Sequence, residues 1–233
     1  MKTKIEAILF DVDDTLFDRN LAQVKILQII VDSLPEIFGA IDIKRVAKAF
    51  SESDRLTVAE FDSGMPSEGL RDRRSRLFLR LLDLPESFAD KITEIYVRQL
   101  PVVNTPVAGA VRLVGELSGK YILGVVSNGL PDVQYRKLES IGLRPLFSCI
   151  VLSEEVGIRK PDPRIFLRAA QVLHRLPAQC LYIGDTYASD IIGAKNAGMQ
   201  ACWFNRTKSS LPSNEIKPDF VIKELLEIPG LLK

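Results

Sequence analysis

Acidic side chains cluster near the start of the chain, at the point where an apolar run ends. Residues 4–10 form a short, β-prone run, which is typical of a buried strand. Asp11 and Asp13 follow this run directly. Ligands of a parallel sheet bind beyond the carboxyl ends of its strands, so these two carboxylates are predicted to lie where chemistry takes place.

Further polar side chains follow the other predicted strands. Short apolar runs predict strands at 121–126, 149–152, 181–183 and 201–204. The polar residues at the ends of these strands, or in the loop after the third one, are Ser127, Asn128, Lys160 and Asp185. We expect these side chains to meet Asp11 and Asp13 at one edge of the sheet.

Three acids, one lysine and one hydroxyl at one edge are suited to phosphoryl transfer from a phosphate monoester. Lys160 and a divalent cation held by carboxylates would neutralise the phosphate dianion, and an oxygen-rich site favours Mg²⁺. Asp11 is the candidate nucleophile, which would form an aspartyl-phosphate that water then hydrolyses. Asp13 is the candidate acid that protonates the leaving group and the base that afterwards activates the water.

The elements that position these residues predict an α/β fold. After residue 101, strands alternate with helical patterns, which predicts a doubly wound, mostly parallel, Rossmann-like sheet. Between residues 20 and 100 the helical patterns follow one another without a convincing strand. We therefore expect residues 1–18 and 101–233 to form the catalytic core, and residues 19–100 to form an inserted helical domain.

The composition excludes several classes of protein. Lys plus Arg number 31 and Asp plus Glu number 30, and a net charge of +1 favours neither a nucleic-acid polymer nor an anionic membrane as a partner. No apolar run approaches the roughly 18 residues of a membrane span. Three cysteines in separate apolar runs predict buried free thiols, and free thiols are typical of a protein in the reducing cytoplasm. The one histidine, His174, is expected to be an exposed residue at a helix end.

Four motifs follow one another along the chain: DVDDT at 11–15, VVSNG at 125–129, RKPDPRIF at 159–166 and GDTYASDIIGAKNAG at 184–198. Together they resemble the haloacid dehalogenase-like (HAD) hydrolase superfamily, in the subfamily with a helical cap inserted after the first motif. The resemblance covers the whole core, whereas the insert matches in position and helical character. It implies a magnesium-dependent enzyme whose cap, residues 19–100, determines the substrate.

The resemblance also implies a role for each matching residue. The residues that would bind Mg²⁺ are Asp11, Asp185 and, through its backbone carbonyl, Asp13. Those that would hold the phosphoryl group are Ser127, Lys160 and the backbone amide of Asn128. Asp190 would support the waters of the metal or Lys160. The dehalogenase branch lacks an aspartate at the place of Asp13, so this residue favours phosphate ester hydrolysis.

Three stretches, at 127–143, 151–161 and 200–206, resemble the pyrimidine 5′-nucleotidase branch. A nucleoside 5′-monophosphate is therefore the predicted substrate. The same stretches also resemble sugar phosphatases, including those for acylneuraminate 9-phosphate or a phosphoglycolate-like substrate. A phosphomutase and a non-catalytic binding protein are the further alternatives.

Substrate choice is expected in the insert, where Arg71 and Arg74 are candidates to hold a distal anionic or carbonyl group. In the alternative interpretation, an amphipathic helix with leucines at 70, 77, 81 and 84 turns these arginines to solvent. The expected partner is a small phosphate monoester, and the expected state is a monomer or a homodimer.

Overall fold

The centre of the protein is a sheet of six strands. The computed structural model describes residues 3–100, 102–211 and 216–232, without the side chain of Asp62. The strands are β1 (Ala7–Phe10), β2 (Ile122–Ser127), β3 (Cys149–Leu152), β4 (Cys180–Gly184), β5 (Gln200–Phe204) and β6 (Phe220–Ile222). The first five are apolar and largely buried, as expected of strands that are covered on both faces.

The strand order is β3-β2-β1-β4-β5-β6, and every pair is parallel. The chain builds one half of the sheet from β1 through β2 to β3, and then crosses to the other side of β1 to begin β4. The order therefore reverses between β1 and β4, which is where such sheets place their ligand sites. The prediction of a doubly wound, mostly parallel α/β fold is confirmed.

Eleven α-helices lie in the described part of the chain. They are α1 (Arg19–Ser33), α2 (Pro35–Phe38), α3 (Ile43–Asp62), α4 (Leu70–Arg80), α5 (Ala89–Gln99), α6 (Ala110–Ser118), α7 (Pro131–Ser140), α8 (Ser153–Val156), α9 (Pro163–Val172), α10 (Ile192–Asn196) and α11 (Ile228–Leu231). A π-helical turn precedes α10, and short 3₁₀ helices lie at Glu86–Phe88, Arg144–Leu146, Pro177–Gln179 and Leu225–Glu227.

Helix α9 illustrates how the sequence fixes an element beside the sheet edge. Pro163 occupies its first turn, and the side chain of Asp162 accepts a hydrogen bond from the Arg164 amide at 2.9 Å. The buried face of α9 carries Phe166, whose ring meets that of Tyr182 edge to face at 4.9 Å between centroids. The start of α9 thereby holds the loop that carries Lys160.

The chain divides into two compact units, Met1–Arg19 with Asn104–Lys233, and Asn20–Val103. The first unit contains the sheet. The second is helical, and its interior includes a stacked pair, Phe38 and Phe78, with Phe50 packed edge to face on Phe78. The expected insert, residues 19–100, begins one residue before the start of the second unit and ends three residues before the end of that unit.

Two elements differ from the sequence expectation. Strand β6 was not predicted, because its three residues are too short to show a pattern. The helical spacing of apolar residues that starts at Ile43 ends near Phe50, but helix α3 continues to Asp62. Its second half places Ser53 and Thr57 on the buried side, where their hydroxyls donate to the carbonyls of Phe50 and Ser53. The helix therefore continues although its buried positions are no longer apolar.

The cysteines are free and buried, as predicted. Burial raises the pKa of the Cys149 and Cys180 thiols to about 11 and that of Cys202 to about 12. His174 is exposed just after α9, also as predicted. Among the described residues, none of the helices has the length and apolar character that a bilayer crossing requires.

Candidate active site

Three strands bring their terminal polar residues to one edge of the sheet. Strand β1 lies between β2 and β4, and Phe10 is level with Val125 and Ile183. Asp11 continues β1, because its amide donates to the Ile183 carbonyl at 2.9 Å. Ser127 is the last residue of β2, and Asp185 follows the last residue of β4. Their common position follows from parallel pairing and needs no special loop.

Lys160 is the centre of a buried ionic cluster at this edge. Its ammonium lies 2.6 Å from Asp11 Oδ1, 2.6 Å from Asp190 Oδ1 and 3.0 Å from the Tyr182 hydroxyl. Only 3% of its side chain is exposed. A lysine is stable at such depth only when its three donors are bonded, and here each has a partner. Burial alone would lower the pKa of Lys160, but Asp11 and Asp190 outweigh it and hold that pKa well above its usual value.

Asp190 and Tyr182 fix the position of the lysine. The second carboxylate oxygen of Asp190 accepts a hydrogen bond from the Thr186 amide at 2.9 Å. The Tyr182 hydroxyl donates to the Val126 carbonyl at 2.9 Å, so it ties β4 to β2. A Cβ atom on Gly184 would collide with the Asp190 carboxylate, so glycine is required there. Tyr182 was not a candidate from the sequence, although a tyrosine inside a buried strand always needs a partner for its hydroxyl.

Negative charge exceeds positive charge in this cluster. Carboxylate oxygens of Asp11, Asp185 and Asp190 lie within 4.8 Å of one another. Burial, and after it the nearby acids Asp190 and Asp13, raise the pKa of Asp11 to about 7 despite Lys160. Burial and the charges of Asp11, Asp190 and Asp14 raise the pKa of Asp185 to about 8. Acids held this close favour a bound cation, and hard carboxylate oxygens suit Mg²⁺. Both carboxylate oxygens of Asp190 already accept hydrogen bonds, one from Lys160 and one from the Thr186 amide. Asp11 and Asp185 are therefore the carboxylates that fit a metal.

Asp13 lies in a different environment from Asp11. Its Oδ1 accepts from the Lys137 ammonium at 2.6 Å, and its Oδ2 accepts from the Gln134 amide at 2.8 Å. Burial acts to raise the pKa of Asp13, but Lys137, Arg19 and the two hydrogen bonds outweigh it, and the pKa lies below its ordinary value. Neither Lys137 nor Gln134 was a candidate from the sequence. The available signal was their spacing, three residues apart on one face of α7.

Ser127 and Asn128 lie beside these groups. The Ser127 hydroxyl is buried and accepts a hydrogen bond from the Gln134 amide at 3.0 Å. The side chain of Asn128 accepts from the Lys160 amide at 2.8 Å and donates to the Lys160 carbonyl at 2.9 Å. The Asn128 side chain therefore fixes the backbone of the lysine, a role that the sequence did not indicate.

The neighbours of the acidic motif have structural partners. Asp14 adopts a left-handed backbone, with φ of 56°, and its Oδ1 accepts from the Arg19 amide at 3.1 Å. Asp18 accepts from Arg206 at 3.0 Å. The buried hydroxyl of Thr15 differs from these acids, because it has no hydrogen-bond partner among the described residues. Trp203 is buried and donates to the Asp185 carbonyl at 2.8 Å.

The two arginines expected to determine the substrate both lie on α4, in the helical unit. Arg71 is half-buried. Arg74 is 5% exposed, so the alternative that these arginines point to solvent is wrong for Arg74. Its guanidinium lies 3.3 Å from the centre of the Tyr96 ring and 3.6 Å from Asp54 Oδ1. Gln23 donates to both the Tyr96 hydroxyl and Asp54, at 2.9 and 3.2 Å.

Comparison with known proteins identifies related sequences. A model of the haloacid dehalogenase-like hydrolase family matches residues 5–198. Pyrimidine 5′-nucleotidase YjjG of Escherichia coli (strain K12) is 36% identical over 143 residues, which cover 61% of this chain and 63%, less than two thirds, of that relative. Glyceraldehyde 3-phosphate phosphatase of Pyrococcus furiosus is 30% identical over 247 residues, covering 99% of this chain and 94% of the relative.

Solved structures agree with the fold. The crystal structure of the HAD-hydrolase YfnB from Bacillus subtilis, bound to magnesium, matches with a TM-score of 0.83 and 26% identity. The match covers 99% of both chains. Haloacid dehalogenases are also among the structures that this chain resembles.

Proposed function

The chain belongs to the haloacid dehalogenase-like hydrolase family, and we propose that it is a magnesium-dependent phosphatase acting on small phosphate monoesters through an aspartyl-phosphate at Asp11. One observation carries the proposal. Asp11 is held by Lys160 at 2.6 Å in a cluster rich in carboxylates, while a second acid two residues later, Asp13, has partners of its own. Nucleophile and proton carrier are thus adjacent in the chain but differently stabilised.

In the first step, a carboxylate oxygen of Asp11 attacks phosphorus and the bond from phosphorus to the ester oxygen breaks. The departing oxygen takes the proton of the protonated Asp13 carboxyl, so the alcohol leaves neutral and Asp13 is left as the carboxylate that Lys137 and Gln134 bind. In the second step, water gives a proton to Asp13 and the water oxygen attacks phosphorus. The bond from phosphorus to the Asp11 oxygen breaks, which releases phosphate and restores the Asp11 carboxylate. Lys160 and Ser127 would bind the phosphoryl oxygens throughout, together with the Asn128 backbone amide.

A metal ion would be held by the carboxylates of Asp11 and Asp185, together with the backbone carbonyl of Asp13, the third ligand that the family resemblance implies. Bound Mg²⁺ would supply positive charge against the phosphoryl oxygens and the crowded carboxylates. Asp190 would act through Lys160, to which it is bonded. The magnesium in the YfnB structure supports the choice of ion.

Asp13 supports phosphate esters over carbon–halogen bonds as the substrate. A halide leaves as a stable anion and needs no proton, whereas an alkoxide needs one. Asp13, Lys137 and Gln134 would therefore have no function in dehalogenation. The phosphatase names of the two sequence relatives support the same reaction class.

A nucleoside 5′-monophosphate is the proposed substrate, supported by the 36% identity to a pyrimidine 5′-nucleotidase. A sugar phosphate or a related small phosphate is the second candidate, favoured by the match along nearly the whole chain to a glyceraldehyde 3-phosphate phosphatase. We propose the unit Asn20–Val103 as the cap that decides between them, with Arg71 as its candidate residue, since the guanidinium of Arg74 lies against Asp54 and Tyr96. The buried free thiols support a reducing, cytoplasmic setting.

The test is phosphate release from nucleoside monophosphates, sugar phosphates and p-nitrophenyl phosphate, with Mg²⁺ and with EDTA. We expect release that needs the metal, and the best ester identifies the substrate class. Little net release with dependence on a bisphosphate activator would indicate a phosphomutase. No release from any ester would contradict the proposal.

A further inference from the structure

The carboxylate of Asp13 is held at both of its oxygens by one helix. Lys137 binds Oδ1 at 2.6 Å and Gln134 binds Oδ2 at 2.8 Å. Both come from α7, where positions three apart lie on the same face. A carboxylate with one bonded oxygen can still turn about its last bond, whereas one bonded at both oxygens keeps a single orientation.

The two partners are buried at a cost to stability that packing does not explain. Lys137 is 3% exposed and Gln134 is 1% exposed. The carbonyl oxygen of Gln134 is buried with no hydrogen-bond partner among the described residues. Burying a charged group and a half-bonded amide is unfavourable, and apolar residues would fill the same face of the helix more favourably.

The surrounding backbone is adapted to Gln134. A Cβ atom on Gly129 would collide with the amide of Gln134, so only glycine leaves room for this side chain. From that position the same amide nitrogen reaches Asp13 and, at 3.0 Å, the hydroxyl of Ser127. One side chain thus links the proposed proton carrier to a proposed phosphate-binding residue.

We propose that Lys137 and Gln134 are positioning residues for Asp13, which fix the orientation of its carboxylate for proton transfer to the leaving group and from water. The proposal rests on the proposed function, because it requires Asp13 to transfer protons. It assigns to α7 a share in the chemistry.

The leaving group of the ester distinguishes this role from a merely structural one. An alkyl phosphate such as a nucleoside or sugar monophosphate needs a proton on its departing oxygen, whereas p-nitrophenolate leaves readily without one. We expect Lys137→Met and Gln134→Leu to lower kcat/KM on the alkyl ester by about ten- to a hundredfold, with a much smaller loss on p-nitrophenyl phosphate, because kcat/KM reports formation of the aspartyl-phosphate and not the water step that both esters share. KM should change little, and Lys137→Arg should recover part of the loss.

Arg136 provides the matched control, because it lies on the same helix and is exposed. Arg136→Met should leave both esters at wild-type rates. Equal losses on both esters in Lys137→Met and Gln134→Leu would overturn the proposal, because damage to the fold lowers every rate alike. Rates unchanged from wild type would overturn it as well.

Crystal structures of Lys137→Met and Arg136→Met test the orientation without any activity. We expect the Asp13 carboxylate to be rotated or to take several orientations in Lys137→Met, and to keep the wild-type orientation in Arg136→Met. An unchanged carboxylate in Lys137→Met would overturn the proposal. If wild-type protein released no phosphate from any ester, the proposed function would fail by itself, and these structures would still decide whether the two side chains orient Asp13.

Discussion

Each of the two units buries a charged cluster, and the two clusters differ in their balance of charge. At the sheet edge, the single ammonium of Lys160 faces three carboxylates, from Asp11, Asp185 and Asp190. In the helical unit, the guanidinium of Arg74 pairs with one carboxylate, Asp54, and lies over the ring of Tyr96. Both cations are almost completely buried.

The difference supports the proposal that the sheet edge, and not the helical unit, holds the reacting groups. The charge of a buried cation is balanced when one acid pairs with it and an aromatic ring lies against it, although Nη2 of Arg74 has no hydrogen-bond partner among the described residues. A cluster with surplus carboxylates is stable only when protons or a cation neutralise them. Burial, and after it the neighbouring carboxylates, raise the pKa of Asp11 to about 7 and that of Asp185 to about 8. Surplus negative charge at the strand ends therefore supports the proposed metal site.

The largest expected effect comes from removing the cation at the sheet edge. Lys160→Met leaves Asp11 and Asp190 without their shared ammonium, so we expect kcat for the best ester to fall by at least about a hundredfold. Steady-state phosphate release measures it, with circular dichroism to check folding. Lys195→Met is the control, since Lys195 also forms an ion pair, with Asp219 at 2.9 Å, but lies away from the acids of the cluster. A Lys160→Met enzyme with nearly wild-type turnover would remove the distinction between the two clusters.

The matching change in the helical unit should affect stability more than chemistry. Arg74→Met leaves Asp54 without its cation, and we expect a loss of about 2 kcal/mol in the free energy of unfolding, with kcat within tenfold of wild type. Urea denaturation measures the loss. Asp54→Asn and the double variant complete a double-mutant cycle that measures the interaction energy between Arg74 and Asp54. If the stability losses of the two single variants simply add in the double variant, the two side chains do not stabilise each other.

The smallest expected effect is a dependence of stability on pH without metal. Because the folded pKa values of Asp11 and Asp185 lie above the ordinary value near 4, the folded protein binds more protons than the unfolded chain between about pH 5 and pH 8. Their contribution to stability therefore decreases as pH rises through this window. We expect Asp185→Asn to be more stable than wild type at pH 8 by about 1 to 2 kcal/mol in EDTA, with the difference decreasing toward zero near pH 4, the ordinary pKa of a carboxyl group.

Mg²⁺ sharpens that measurement. The ion should raise the midpoint of thermal unfolding of wild type at pH 8 and have little effect on Asp185→Asn. Arg74→Met serves as the control, since it should keep the pH dependence and the response to Mg²⁺. A wild-type stability that rises in EDTA between pH 5 and pH 8, relative to Asp185→Asn, would contradict the charge surplus.

The sheet and most of its edge could be predicted from local sequence. Each of the first five strands is a run of apolar residues, and Asp11 and Asp185 directly follow two of them, so strand position alone places the acids together. Lys137 and Gln134 could not be found in this way. They meet Asp13 across separations of 124 and 121 residues, and the pattern of a single helix does not show what its buried polar residues face.

Other differences have the same origin. Tyr182 belongs to the pattern of a buried strand, and its contact with Lys160 depends on how two elements dock. Arg74 lies in an arginine-rich stretch whose composition suggests solvent, but Tyr96 and Asp54 provide it with a buried position. Partners that are distant in sequence, rather than the residue types themselves, decided these cases.

The covalent state of Asp11 during turnover tests the central claim most directly. Wild-type protein would be mixed with its best ester and Mg²⁺, quenched in acid within a single turnover, digested and analysed by mass spectrometry. We predict the added mass of a phosphoryl group on the peptide that contains Asp11, and its absence from Asp11→Asn. Sodium borohydride should reduce the modified Asp11 side chain, as it reduces an acyl phosphate. Rapid phosphate release with no phosphoryl group on Asp11 at any time, or with the group on another residue, would contradict the account.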